Sequence, residues 1–243
     1  MSFPQSIMGK YGWEKVTTTA QKHKLGTRMQ IFDREFVYCQ AGETLVAGKL
    51  VKGMTGTDAE QVDLAVSAAS AGATSITLSG SLTISKDEYK DGWVIFNDQE
   101  EVGHMYRIKS NTAVSSATGC VITLDEEDGL ITAMTTSQQV GLYANQFREV
   151  EIHDYNGVDA PPLGWTVVDI ADTYYGWLCV KGFTTALIDG TPAAGTPLIA
   201  SNAVDGAVEI ADEDGSVNLA VVGYMGPLAG VDAQYGLIKI NVE

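Results

Sequence analysis

Short segments with the apolar alternation of β-strands recur along this chain, and each is bounded by residues that favour turns. In the middle of the sequence the strand candidates lie at residues 74–78, 93–97, 104–109, 120–124 and 139–143. Asp91-Gly92 and Asp128-Gly129 supply the turn chemistry that β-hairpins require. Regular short strands with such turns are typical of small barrels and sandwiches. The sequence therefore predicts an all-β protein built from β-sandwich or β-barrel modules.

Two later segments extend this pattern. Residues 174–180 form the most apolar run of the chain and predict a central strand. Over residues 238–243 apolar and polar residues alternate strictly, which predicts a strand at the C-terminus. The segments Ala47–Val51 and Ala194–Ile199 have similar sequences, and the second is one residue longer. They indicate a weakly repeated unit that begins with a glycine turn.

These patterns predict three parts. Residues 1–30 show no sustained period, and we expect an extended basic N-terminal arm there. Residues 31–64 and 151–243 contain the repeated glycine-turn unit and predict the β body. Residues 65–150 predict an inserted small β-barrel or sandwich module.

Charge is distributed unevenly along the chain. The 15 Lys and Arg against 31 Asp and Glu give a net charge of -16, which disfavours binding to nucleic acid because phosphate binding needs a basic surface. Residues 1–52 hold eight basic and four acidic side chains, a net of +4, so the remainder carries -20. This polarity favours a basic arm that reaches an acidic neighbour, while an acidic body keeps particles apart in solution. A solvated, frayed N-terminus is the alternative interpretation.

The arm also contains large apolar side chains that are too scattered to form a local core. We predict that they anchor on another protein surface together with the cations around them. The predicted contact residues are Phe3, Ile7, Lys10, Tyr11, Trp13, Lys15, Lys22, Lys24 and Arg28.

No pattern in the sequence predicts catalysis, a cofactor or a metal site. The spacing from Gly42 to Gly48-Lys49 is one residue too long for a phosphate-binding loop, and Leu50 stands where Ser or Thr is needed. No G-x-S-x-G motif is present, and the three histidines lack metal-ligand spacing. Calcium binding by the acidic runs at residues 98–101, 125–128 and 212–214 stays an alternative to solvated turns.

Compartment and redox state can also be predicted. Residues 1–10 lack the pattern of a secretory signal, and the uncharged stretch at 65–85 is too rich in Ser, Thr and Gly for a membrane span, so we expect a cytosolic product. Cys39, Cys120 and Cys179 lie far apart, which predicts buried free thiols, with a single disulfide as the alternative.

Several segments resemble the capsid decoration (cement) proteins of tailed bacteriophages. They are Leu25–Arg28 leading to Phe36–Tyr38, Ala47–Val51, Tyr89–Trp93 with Tyr106–Lys109, and Tyr175–Trp177 leading through Gly190 to Leu198. The resemblance implies a non-enzymatic virion protein that is assembled in the host cytoplasm. It would bind the major capsid protein on the outer surface of the shell, bridge capsomers and commonly act as a homotrimer, with no cofactor and no membrane partner.

Other functions remain open at this point. A tail or head-fibre component would have similar composition. A carbohydrate-binding β module would use aromatic rings, for which the candidates are Trp93, Tyr106, Trp165, Tyr174, Tyr175, Trp177 and Tyr235, although packing in a core or interface is the alternative.

Overall fold

The computed structural model describes residues 6–54, 62–99, 102–155, 160–211 and 220–242. In chain order the strands are β1 (Ser6–Met8), β2 (Arg28–Ile31), β3 (Arg34–Gln40), β4 (Leu50–Lys52), β5 (Leu64–Ala65), β6 (Ser75–Leu78), β7 (Leu82–Ile84), β8 (Trp93–Phe96), β9 (Met105–Asn111), β10 (Val114–Ala117), β11 (Cys120–Leu124), β12 (Gln139–Tyr143), β13 (Glu151–Ile152), β14 (Pro162–Thr166), β15 (Tyr175–Ile188), β16 (Pro197–Ala200), β17 (Ala207–Ile210), β18 (Gly223–Met225) and β19 (Tyr235–Asn241). A short 3-10 turn lies at Trp13–Lys15, and Gln99 also has 3-10 conformation. The predicted all-β class is confirmed.

The chain divides into two compact units. The first comprises residues 1–55 and 146–243, and the second comprises residues 56–145. Each unit has its own cluster of buried apolar side chains. The second unit is thus an insertion in the first, and it spans residues 56–145 where the sequence pattern predicts a module at 65–150.

The sheet of the first unit is organised around the 14-residue strand β15. Its N-terminal half pairs with β3 and β14, and its C-terminal half pairs with β19. The path from β15 through β17, β16, β18 and β19 returns to β15, which closes a small barrel. Strands β1 to β4, β13 and β14 form a half-barrel on the other half of β15.

The second unit is a six-stranded sheet in the order β5-β12-β8-β9-β11-β6. A bridge between Val66 and Leu78 joins its two ends, so this sheet also closes on itself. Strands β7 and β10 form a separate two-stranded antiparallel sheet. Alternate residues of β11 face the core, with Cys120, Ile122 and Leu124 buried, as the period of two predicts.

The extended N-terminal arm is not confirmed. From residue 6 onward the segment packs against the first unit: β1 pairs with β2, and Thr18 forms a bridge with Tyr175. Leu25 and Met29 are buried and Ile7 packs against the same core. The sequence did not predict this packing, because each of these apolar residues joins a core that is formed mainly by other strands. Single apolar residues of this kind produce no periodic pattern along the segment.

Both glycine turns of the weak repeat have the same local geometry. Gly48 and Gly195 each adopt a φ of 78°, and each turn leads into a short strand, β4 or β16. A left-handed φ favours glycine because other residues meet steric strain there. The repeat is therefore a repeat of turn geometry.

Two further expectations concern the thiols and the membrane. Cys39, Cys120 and Cys179 are free and buried, as predicted. In the described part of the chain, no helix is long and apolar enough to cross a membrane.

Candidate functional site

The structure separates the predicted contact residues into exposed and packed groups. Lys10, Tyr11, Trp13, Lys15, Lys22 and Arg28 are exposed. Ile7 and Lys24 are half-buried, and Ile7 packs against the core of the first unit. Phe3 lies outside the described residues. The exposed members are what a partner could contact.

Strand β1 holds the start of this segment close to the sheet. Ile7 lies opposite Met29 in the parallel pairing of β1 with β2, and the Gly9 amide donates to the Gln30 carbonyl oxygen at 2.9 Å. A Cβ at Gly9 would lie 2.6 Å from the Met29 sulphur and 2.8 Å from Ile31. The chain can approach the sheet here only because residue 9 is a glycine.

A second anchor lies at residues 18–27. The Thr18 and Tyr175 amides donate to each other's carbonyl oxygens at 3.0 and 2.8 Å. The His23 ring lies 5.1 Å from the Tyr38 ring and 5.4 Å from the Trp177 ring, measured between centroids. Burial lowers the pKa of His23 from its usual value, so the neutral ring is the form that packs well. This cluster fixes the segment to β3 and β15.

Between the two anchors, Tyr11 stacks on Phe32 with ring centroids 4.8 Å apart and planes 18° from parallel. Each side chain is 69% exposed, so both rings present a large apolar surface to solvent. Such stacked pairs contribute about 0.5–1.5 kcal/mol beyond burial and stay rigid. We call Lys10, Tyr11 and Phe32 the docking tip.

Phe32 occupies a strained backbone position. It is the first residue of the two-residue loop between β2 and β3 and has a φ of 54°. Glycine is the usual residue at this loop position, because a bulky side chain at positive φ costs about 1–2 kcal/mol. A strained and exposed aromatic residue at the apex of a hairpin is typical of a contact site.

The base of the same hairpin is fixed firmly. The Arg34 guanidinium lies 4.8 Å from the Phe36 ring centroid, and one of its NH2 groups lies 3.8 Å from the Cys179 sulphur. A Cβ at Gly182 would lie 2.7 Å from the Asp33 carbonyl oxygen, so the loop sits directly on the backbone of β15. The docking tip is therefore rigid in position.

The cations of the segment differ in what they contact. Arg28 lies 3.6 Å from Glu35, and Lys181 lies 3.0 Å from the other oxygen of the same carboxylate. These side chains are partly exposed, so the pairs contribute little to stability, but they offset part of the Arg28 charge. Lys10, Lys15 and Lys22 are exposed as well.

Phe32 is an exposed aromatic residue of this surface that the sequence pattern did not single out. The pattern over residues 30–52 predicts one strand that contains Phe32 and Phe36, whereas the structure places Phe32 in a turn between β2 and β3. The available signal was a two-residue connection, Phe32-Asp33, without Gly or Asn.

The side chains most able to take part in chemistry are the cysteines, His153 and the potential metal ligands. Burial raises the pKa of Cys39 to about 12 and also raises the pKa of Cys120 and Cys179, so all three are poor nucleophiles. His153 is buried with a lowered pKa beside the Lys52–Asp154 ion pair, which spans 2.5 Å. Among the described residues, no group of three or more His, Cys, Asp or Glu side chains is placed to hold a metal ion. Residues 100–101 and 212–214 of the acidic runs lie outside the described residues.

The tryptophans proposed as glycan contacts have limited access. Trp165 and Trp177 are buried, with 0% and 5% exposed. Trp93 is half-buried, and the Arg107 guanidinium lies 4.9 Å from its ring centroid. These rings do not form an open aromatic platform.

Comparison with protein-family models, with curated proteins and with solved structures finds no match for this chain.

Proposed function

We propose that this protein is a structural decoration (cement) protein that binds the outer surface of a tailed-phage capsid and stabilises it by bridging capsomers. Its partners are the major capsid protein and further copies of itself, as a homotrimer. The observation that carries the proposal is the docking tip, an exposed aromatic stack on a strained, rigid hairpin in the basic part of an acidic chain.

The composition of the tip suits docking to protein. Exposed aromatic residues with adjacent cations are the residues that dominate binding energy at interfaces. The stack is already formed in the free protein, so few rotamers are lost on binding. The cations Lys10, Lys15 and Lys22 favour an acidic partner surface and accelerate the encounter with it.

The charge of the rest of the chain supports an external position. Residues 53–243 carry a net charge of -20 by the counts above. An acidic body that faces solvent keeps decorated particles from sticking together. A modest affinity per copy is sufficient if copies are linked, because later contacts then become intramolecular.

The test is co-sedimentation with capsids that have been stripped of decoration. We expect the Phe32→Asn variant to bind at least about tenfold more weakly, because Asn tolerates positive φ but removes the stack. Ile131→Ser is the matched control, since Ile131 is 72% exposed in the other unit. Equal binding of Phe32→Asn and the unaltered protein would contradict the assignment of the tip.

A further inference from the structure

The outer face of the barrel in the first unit carries large exposed apolar side chains beside the polar residues Thr185, Lys239 and Asn241. Along β19, Ile238 and Ile240 face the core and are 0% and 2% exposed. Tyr235 and Leu237 alternate with the buried positions at the start of the strand, face outward and are 53% and 46% exposed. A sheet face in contact with water normally carries polar residues at these positions.

The neighbouring strands continue this face. The register places Phe183 of β15 opposite Lys239, Lys239 opposite Tyr224, and Tyr224 opposite Pro197. Directly paired residues point to the same side of a sheet. We call Phe183, Pro197, Tyr224, Tyr235, Leu237 and Lys239 the outer barrel face.

The interior of the barrel does not need these residues. Ile188, Val208 and Met225 join Ile238 and Ile240 in the buried core, and each is at most 4% exposed. The outward side chains therefore stand outside a core that is already packed. Phe183 is 40% exposed and Tyr224 is 53% exposed on this outer side.

Two shallow depressions flank the face. One, of about 190 Å³, is lined by Leu228, Val231, Tyr235 and Leu237 among others, and Leu228 at its rim is 78% exposed. The second, of about 330 Å³, is lined by Tyr224, Lys239 and their neighbours. Among the described residues, neither is lined by a carboxylate. Depressions next to a projecting leucine are suited to interlocking with another surface.

The area of the face is close to what an interface needs. Aromatic side chains cover about 150–250 Å² each, so the half-exposed rings and leucines here leave on the order of 500 Å² of apolar surface uncovered. A stable interface takes roughly 800 Å² from each partner, part of it as a polar rim. The outer barrel face can therefore form the apolar centre of such an interface.

Charge indicates which partner fits. Lys239 lies in the middle of the face between Phe183 and Tyr224, and none of the six residues that define the face is acidic; Glu209 lies beyond Pro197, on β17. Copies of a chain with a net charge of -16 repel each other over most of their surface, and least where carboxylates are absent. An acid-rich neighbouring copy also complements Lys239.

We propose that the outer barrel face is the surface through which this chain associates with a second copy of itself. The inference rests on the self-association included in the proposed function and adds the surface that makes it. The contact is made by unit-one residues that are distinct from the docking tip, so each surface can be altered without changing the other.

The test measures the molar mass of the full chain in solution by light scattering during size-exclusion chromatography, over a range of concentrations. We expect the unaltered protein to have a mass that is a multiple of 25.9 kDa. Tyr224→Ser and Leu237→Ser should each weaken association at least about tenfold, because they remove apolar contacts from its centre. Ile131→Ser should leave the mass unchanged. Circular dichroism and thermal unfolding of each variant verify the fold.

The outcomes separate the two claims. A mass of 25.9 kDa for the unaltered protein at every concentration overturns both this inference and the homotrimer. An oligomer that persists in both variants overturns the assignment of the face alone. Phe32→Asn leaves the outer barrel face intact and should keep the mass of the unaltered protein, so a loss of its co-sedimentation with stripped capsids reports on the docking tip alone.

Discussion

At the scale of single residues, the glycine at position 182 determines how closely the hairpin of the candidate site packs. It has a φ of 99°, and the position of a Cβ there would lie 2.7 Å from the Asp33 carbonyl oxygen. This glycine allows the β2–β3 hairpin, which carries Phe32, to lie against β15. The close packing of this hairpin against β15 thus holds Phe32 in its strained backbone conformation.

We predict that Gly182→Ala destabilises the protein by more than Gly195→Ala. Both glycines have positive φ, which costs about 1 kcal/mol when alanine is introduced. A Cβ at Gly195 meets nothing within 4 Å, whereas one at Gly182 meets backbone. Urea unfolding should therefore give an additional loss of about 1 kcal/mol or more at Gly182. Equal losses would show that the hairpin does not press on β15.

His153 should make stability depend on pH. Burial lowers its pKa below the usual 6.5, Lys52 acts in the same direction, and Asp154 and Asp205 oppose them. The folded state thus prefers neutral His153, so its contribution is complete above pH 6.5 and is lost as the pH falls through the lowered value.

The measurement is the free energy of unfolding between pH 7.5 and 5, compared with that of His153→Gln. We expect a smaller decline in the variant, with part of the decline retained because the pKa of His23 is also lowered. Identical pH profiles would contradict a neutral, buried His153.

At the scale of elements, periodicity predicted the strands that have one buried face. Residues 120–124 coincide with β11, and residues 74–78 exceed β6 by a single residue. The sequence could not predict β1, because a three-residue strand in parallel pairing has no readable period. The length of β15 was also missed, because Gly182 interrupts an apolar run and nothing in the sequence shows that Asp33 approaches it.

The same limit applies to the candidate site. Its aromatic and basic residues at positions 10, 11 and 13 were identifiable from composition, and the structure shows them exposed. The partner of Tyr11 was not identifiable, because Phe32 is 21 residues away and meets it only through the pairing of β1 with β2. Long-range pairing of this kind is not encoded in local pattern.

Hydrogen exchange distinguishes a packed N-terminal segment from a free arm. The amides of Gly9, Thr18 and Gly26 donate to Gln30, Tyr175 and Tyr38 at 2.9–3.0 Å. We expect these amides to exchange much more slowly than an unfolded chain, because exchange requires local opening. Exchange at unfolded rates for all three would restore the extended arm.

At the scale of the whole molecule, the chain combines two closed β units with two different exposed surfaces. The docking tip is basic and aromatic, and the outer barrel face is apolar with one central lysine. An acidic remainder limits contacts elsewhere. This arrangement suits a protein that binds a large surface in several copies, which is the central claim.

The most direct test of that claim is cryo-electron microscopy of stripped capsids after incubation with the purified protein at low and high salt. We predict density outside the shell in which the tip of the β2–β3 hairpin contacts the capsid protein, with occupancy that falls as salt screens the lysines. Absence of bound density, or density that contacts the shell only through the second unit, would contradict it.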